Sequence, residues 1–167
     1  MLNEVYLMCS LPSLSFGQSP PIKLEEFTSI AKSQLSAKSY KMLEQVSIQY
    51  MENNSKKGKL KSVTALLDDL QQDLSEIRKA RAQNRQPRPA QLPGSVLEEN
   101  PLDREKQMMQ WQWEKLDAIE SGKTFTFNEV IVYKLKLQLL WRLHSFNAER
   151  GAQVLASVVN PAERKED

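Results

Sequence analysis

The stretch LKSVTALLDDLQQDLSEIRKARAQNR, residues 60–85, decides the fold class. Val63, Leu66, Leu67, Leu70, Leu74 and Ile77 recur at alternating three- and four-residue steps, which lines them up along one side of an α-helix. Asp68, Asp69, Gln71, Gln72 and Asp73 fall away from that stripe and read as a solvated face. A helix patterned in this way must bury its stripe against other elements.

The flanks supply them. Towards the N-terminus, LEEFTSIAKSQL over 24–35 puts Leu24, Phe27, Ile30 and Ala31 on one face, with acids in the first turn where the helix dipole favours them. Ser36 is placed to cap a second helix reaching to about 51, with Tyr40, Leu43, Val46, Ser47 and Tyr50 at helical spacing. The polar stretch 52–59 with Gly58 reads as a loop. Before all of these, residues 4–16 are rich in apolar side chains and broken by Pro12, then by Gly17, Pro20 and Pro21, so they form an apolar arm or short helix followed by a turn.

Beyond residue 85, QPRPAQLPGS contains three prolines and a glycine, which ends the helix and opens a linker. Asn100 and Pro101 then combine a capping side chain with a residue whose missing N–H costs nothing at the first helical position. The fourth helix runs to 121 and stops at Gly122, with Leu102, Met109, Trp113, Leu116 and Ile119 or Glu120 on its core face. Thr126 and Glu129 have capping-box spacing and start a fifth helix to about 146. Asn147 starts a sixth over 148–159, ended by Asn160 and Pro161. The expected architecture is an all-α helical bundle of about six helices with an N-terminal apolar arm. Its parts are the arm and three helices over 1–85, a linker over 86–99, helices packing back on the first half over 100–160, and a polar tail over 161–167.

Composition agrees: of 167 residues, 40% are hydrophobic and 26% charged, enough apolar material for a core, and only five are glycine. The net charge of +2 leaves nucleic acid or an anionic membrane to local clusters alone. No apolar run approaches the roughly 20 residues that span a bilayer, and the start lacks the basic flank of a secretion signal. With one cysteine, Cys9, no intramolecular disulfide forms. The expected location is cytoplasmic, with any attachment to the inner face of the plasma membrane made through partners.

Few residues could carry chemistry. Cys9 and His144 are the sole thiol and imidazole, and they read as a buried cysteine and an ordinary, partly exposed histidine instead of a catalytic dyad. Zinc is excluded by ligand count, and the isolated glycines build no phosphate cradle. The expectation is no catalytic residue, no cofactor and no metal. The strip Arg78, Lys79, Arg81, Arg85 and Arg88 could track phosphates, but it lacks interleaved aromatic rings, and cations at a helix C-terminus are also favoured by the dipole. Trp111 and Trp113 point about 200° apart on a helix, so both cannot enter the same core and one of them is left for a partner or another surface groove.

Particular residues add a resemblance. Tyr6 to Phe16 (YLMCSLPSLSF), Pro20-Pro21-Ile22 and Leu24-Glu25-Glu26-Phe27 resemble the start of an uncharacterised bacterial family whose genes lie among those for V/A-type ATPase subunits. Asn100-Pro101-Leu102, Trp113, Phe125, Tyr133-Lys134-Leu135-Lys136-Leu137-Gln138, Arg142 and Glu149-Arg150-Gly151 continue that resemblance, which is weakest over 51–95. It implies a non-catalytic subunit or assembly factor of a rotary, proton- or sodium-translocating ATPase, with other ATPase subunits as partners and a shortened C (d)-like stalk socket as the specific form. The other readings are a free helical protein–protein adaptor and an RNA-binding protein. The residues expected at a partner surface are Tyr6, Leu11, Leu14, Phe16, Arg78, Arg81, Arg85, Arg88, Trp111 and Trp113.

Overall fold

A computed structural model describes residues 2–48, 61–97, 100–120 and 126–159. The loop expected over 52–59, the helix stop at Gly122 and the tail over 161–167 lie outside the described residues. Six α-helices are present among them and no β-strand, so the chain is all-α. They are α1 (Leu2–Ser10), α2 (Leu24–Gln34), α3 (Ala37–Glu44), α4 (Lys61–Ala82), α5 (Pro101–Glu120) and α6 (Phe127–Val159), with a 3₁₀ turn at Gly94–Leu97.

α5 packs against α6 and also meets α4 and the 3₁₀ turn, while α6 meets α1 and α2. The layers therefore run α4, α5, α6, then α1 with α2, and α3 hangs from α2. One continuous core joins both halves of the chain, from Leu7, Phe27 and Val46 through Leu116 and Leu139 to Val63 and Ile77.

Local chemistry accounts for the element ends. Ser36 Oγ accepts from the Ser39 N–H and caps α3, as its spacing predicts. Asn100 Oδ1 accepts from the Asp103 N–H at 2.9 Å, and its amide donates to the Asp103 carboxylate, closing the start of α5.

Three ends differ from expectation. The helix expected to reach 51 stops at Glu44, because the chain turns there to carry Val46 into the core, fully buried. α4 stops at Ala82, ahead of the prolines. Asn84 takes a left-handed conformation (φ 51°), and the bonds Arg85 N–H to Ala80 O and Asn84 N–H to Arg81 O close a Schellman motif. Asparagine is one of the few non-glycine residues that enter this region readily. The two last helices are one: α6 continues through Asn147, whose modest helix penalty does not interrupt a helix already propagating.

Candidate interaction surface

α6 is the centre of the molecule. Val130, Ile131, Val132, Leu135, Leu137, Leu139 and Leu140 are buried, so between Val130 and Leu140 every side of this helix is covered. A polar side chain on such a helix must find a partner, since an unpaired buried polar group costs more than a hydrogen bond returns. Four of them find one on the main chain of the first 48 residues. Tyr133 OH donates to Pro12 O at 2.6 Å, Lys134 Nζ to Leu43 O at 2.6 Å, and Trp141 Nε1 to Ile22 O at 2.9 Å. Gln138 Oε1 accepts from the Ile48 N–H at 2.9 Å. Burial pushes the Tyr133 hydroxyl up to about 12. Burial also lowers the Lys134 ammonium from its ordinary value, against the opposing pull of Glu44.

Lys136 faces the other way, towards α5. Its ammonium lies 2.5 Å from Asp117 Oδ1, 2.6 Å from Glu120 Oε2 and 5.2 Å from the centre of the Trp113 ring. Two carboxylates and a π-face together compensate the charge of a lysine that is 9% exposed. Arg142, six residues further on, pairs with Glu105 of α5 at 2.9 Å.

The apolar arm is largely spent on this core. Leu11, Leu14 and Phe16 are half-buried against it, whereas Tyr6 is 65% exposed. Gly17 (φ 84°) supplies the left-handed position of the turn closed by Gln18 N–H to Ser15 O, and this turn sets the Phe16 ring 5.6 Å from Trp113.

Trp111 and Trp113 correct an expectation. Neither stays outside: both are buried, Trp111 to 7% and Trp113 to 8% exposure. Their divergence of about 200° stands, but α5 has neighbours on more than one flank, with α6 on one and α4 with the 3₁₀ turn on another. Trp113 meets Phe16 and Lys136, and the Lys115 ammonium lies 5.7 Å over Trp111.

Asp73 is the second correction. Expected on the solvated face, it is 3% exposed, and its carboxylate accepts three main-chain N–H bonds, from Ala90 (2.9 Å), Gln91 (2.7 Å) and Leu92 (2.8 Å). The proline-rich segment is thereby fastened along α4, and Leu92 is buried. Arg78, Lys79, Arg81, Arg85 and Arg88 are all exposed. Arg85 grips Glu76 with its two terminal guanidinium nitrogens, at 2.6 and 3.1 Å, and this hydrogen bonding above all holds the Glu76 carboxyl below its ordinary value. Between the end of α4 and the fastened segment lies a groove of about 530 Å³ lined by Arg81, Pro87, Pro89, Leu92, Gly94 and Leu97. A shallower hollow of about 430 Å³ opens beside Phe16, Asp103, Lys106, Gln107, Gln110 and Leu143.

Residues 91–165 match a family described as "Protein of unknown function (DUF2764)". No curated protein and no solved structure matches the chain. The matched span contains the 3₁₀ turn, α5 and α6, hence every α6 side chain that reaches for the first half. The main-chain atoms they hold, at Pro12, Ile22, Leu43 and Ile48, all precede it.

Two further residues fall differently from expectation or stand apart. Cys9 is exposed instead of buried, because it lies on the side of α1 away from Leu7, which carries the buried contact. His144 sits exposed with its ring edge-on to Trp141 at 5.7 Å. No helix among the described residues is long and apolar enough to cross a membrane. The residues that spacing did not single out as functional, Tyr133, Lys134, Gln138, Trp141 and Asp73, share one available signal: each is a polar or amphipathic group in a segment otherwise rich in buried leucine, isoleucine or valine.

Proposed function

We propose that this chain is a non-catalytic subunit or assembly factor of a V/A-type rotary ATPase, with a C-like socket for the central stalk as its specific form. The observation that carries this reading is the coincidence between resemblance and architecture. Tyr133, Lys134, Lys136, Gln138 and Arg142, through which the chain resembles the ATPase-associated family, are the side chains that tie α6 to its neighbours. A part of a rotary machine is loaded in shear. Apolar contact is non-directional and yields to sliding, whereas a hydrogen bond to a fixed carbonyl has a set length and angle. Several such bonds around one central helix suit a body that passes force between partners.

In this reading membrane contact goes through those partners. The surface offered to them includes Tyr6 and the cations at the end of α4. Tyr6→Ala removes an exposed side chain and is a clean probe; Phe16→Ala is not, because it strips a ring from Trp113.

The test is a tagged chain expressed at its natural level and recovered from gently solubilised membranes. Catalytic and stalk subunits of the ATPase should accompany it in a fixed ratio, and Tyr6→Ala should lower that recovery without moving the melting temperature. Recovery with soluble proteins alone, and no ATPase subunit, would replace this reading with the free helical adaptor.

A further inference from the structure

We propose that the groove between the end of α4 and the proline-rich segment is a docking site for an acidic peptide segment of a protein partner. Its aliphatic side chains lie against Pro87, Pro89, Leu92 and Leu97, and its carboxylates meet Arg81 and the neighbouring cations. The inference stands apart from the ATPase reading, since it concerns the chemistry of the groove whatever complex the chain enters.

Three observations carry it. The first is shape: the groove encloses about 530 Å³ and its floor is apolar, with Leu92 buried and Leu97 half-buried. The second is rigidity. Three main-chain N–H groups, at Ala90, Gln91 and Leu92, are fixed to the buried Asp73 carboxylate, so the wall exists before any ligand arrives and little ordering cost falls on binding.

The third is charge. The acids at this end of α4 are already committed, Asp73 to the backbone of 90–92 and Glu76 to Arg85. Arg78, Lys79, Arg81 and Arg88 are exposed and form no ion pair among the described residues. Among the described residues the groove is therefore lined by one cation, Arg81, and by no acid, with exposed Arg78 one helical turn before it and exposed Arg88 between the lining Pro87 and Pro89. This complements a segment of carboxylates interleaved with aliphatic residues. A nucleic acid fits less well, because proline and leucine line the trough where base stacking needs aromatic rings.

The test uses the purified full chain and a fluorescent synthetic peptide, paired leucines set between runs of glutamate, followed by anisotropy. Two variants separate charge from shape. Arg81→Glu reverses a rim charge at an exposed position. Gly94→Trp adds bulk at a lining residue with no change of charge, and a Cβ there meets no atom within 4 Å, so the first atom of the new side chain displaces nothing. Each variant should weaken the peptide at least about tenfold with an unchanged circular dichroism spectrum and melting temperature. A glutamine-for-glutamate peptide should weaken by a similar factor. The proposal is overturned if the wild-type chain does not bind the acidic peptide. It is equally overturned if Gly94→Trp binds as wild type does, which would leave only diffuse attraction, or if single-stranded RNA of matching charge displaces the peptide as well as unlabelled peptide does.

Discussion

α4 and α6 are both long and rich in leucine, yet they treat their polar residues in opposite ways. α4 has a free face, where Asp68, Gln71, Gln72, Arg78 and Lys79 stand in water with no partner needed. α6 has none between Val130 and Leu140, so Tyr133, Lys134, Lys136 and Gln138 each end on a defined atom of another segment. Enclosure turns a polar residue into a fixture. Asp73 shows the same rule on α4: where the proline-rich segment covers the helix, this buried acid becomes the anchor for three N–H groups.

The contrast can be broken by measurement, and the largest effect should come from the buried leucines of the two helices. We expect Leu139→Ala, at 0% exposure on α6, to cost about 3–5 kcal/mol, and Leu66→Ala, at 7% on α4, to cost about 2–3 kcal/mol in urea unfolding. Equal losses would remove the distinction between a central and a flanking helix.

Asp73→Ala should come next, at about 3 kcal/mol, because it leaves three N–H groups without their charged acceptor. Asp73→Asn should recover part of that loss. A negligible change in both would mean that water replaces the carboxylate and that the segment is not anchored.

Tyr133 sharpens the comparison through pH. Its hydroxyl titrates at about 12 in the folded chain against an ordinary 10.0, so the unfolded chain releases its proton first. The contribution is complete below pH 10 and is lost as pH rises towards 12, roughly 2–3 kcal/mol in all. Tyr133→Phe should cost about 1 kcal/mol at neutral pH through the lost bond to Pro12 and should lack the alkaline loss. The stability difference between the two proteins should therefore shrink and reverse between pH 10 and 12. Parallel curves would show a hydroxyl that titrates as an exposed one does.

The smallest effect belongs to the surface of α4. Arg85→Ala breaks a bidentate pair with both partners in reach of solvent, and no shift of the unfolding midpoint is expected. A clear drop would mean that the pair holds the turn after α4 and not only itself.

The helical class, the start of α3 at Ser36 and the start of α5 at Asn100 were legible because they depend on neighbours within four residues. The stripe from Val63 to Ile77 was legible for the same reason, since spacing reports angle around an axis. The end of α4 was misplaced because prolines are conspicuous, while a Schellman turn through Asn84 is written in backbone conformation. The candidate surface was legible in part. The cations from Arg78 to Arg88 stand exposed, but the groove beside them exists only because Asp73 holds the distant residues 90–92.

By itself, the order of residues determined where helices form and which side of each is apolar, through periodicity, capping and the scarcity of glycine. Tertiary structure alone decided how many sides of each helix would be covered. That choice buried both Trp111 and Trp113, sank Asp73, and gave Tyr133, Lys134, Gln138 and Trp141 their distant partners. The physical reason is that periodicity fixes a direction about a helix axis, whereas burial and hydrogen bonding depend on what the rest of the chain brings to that direction.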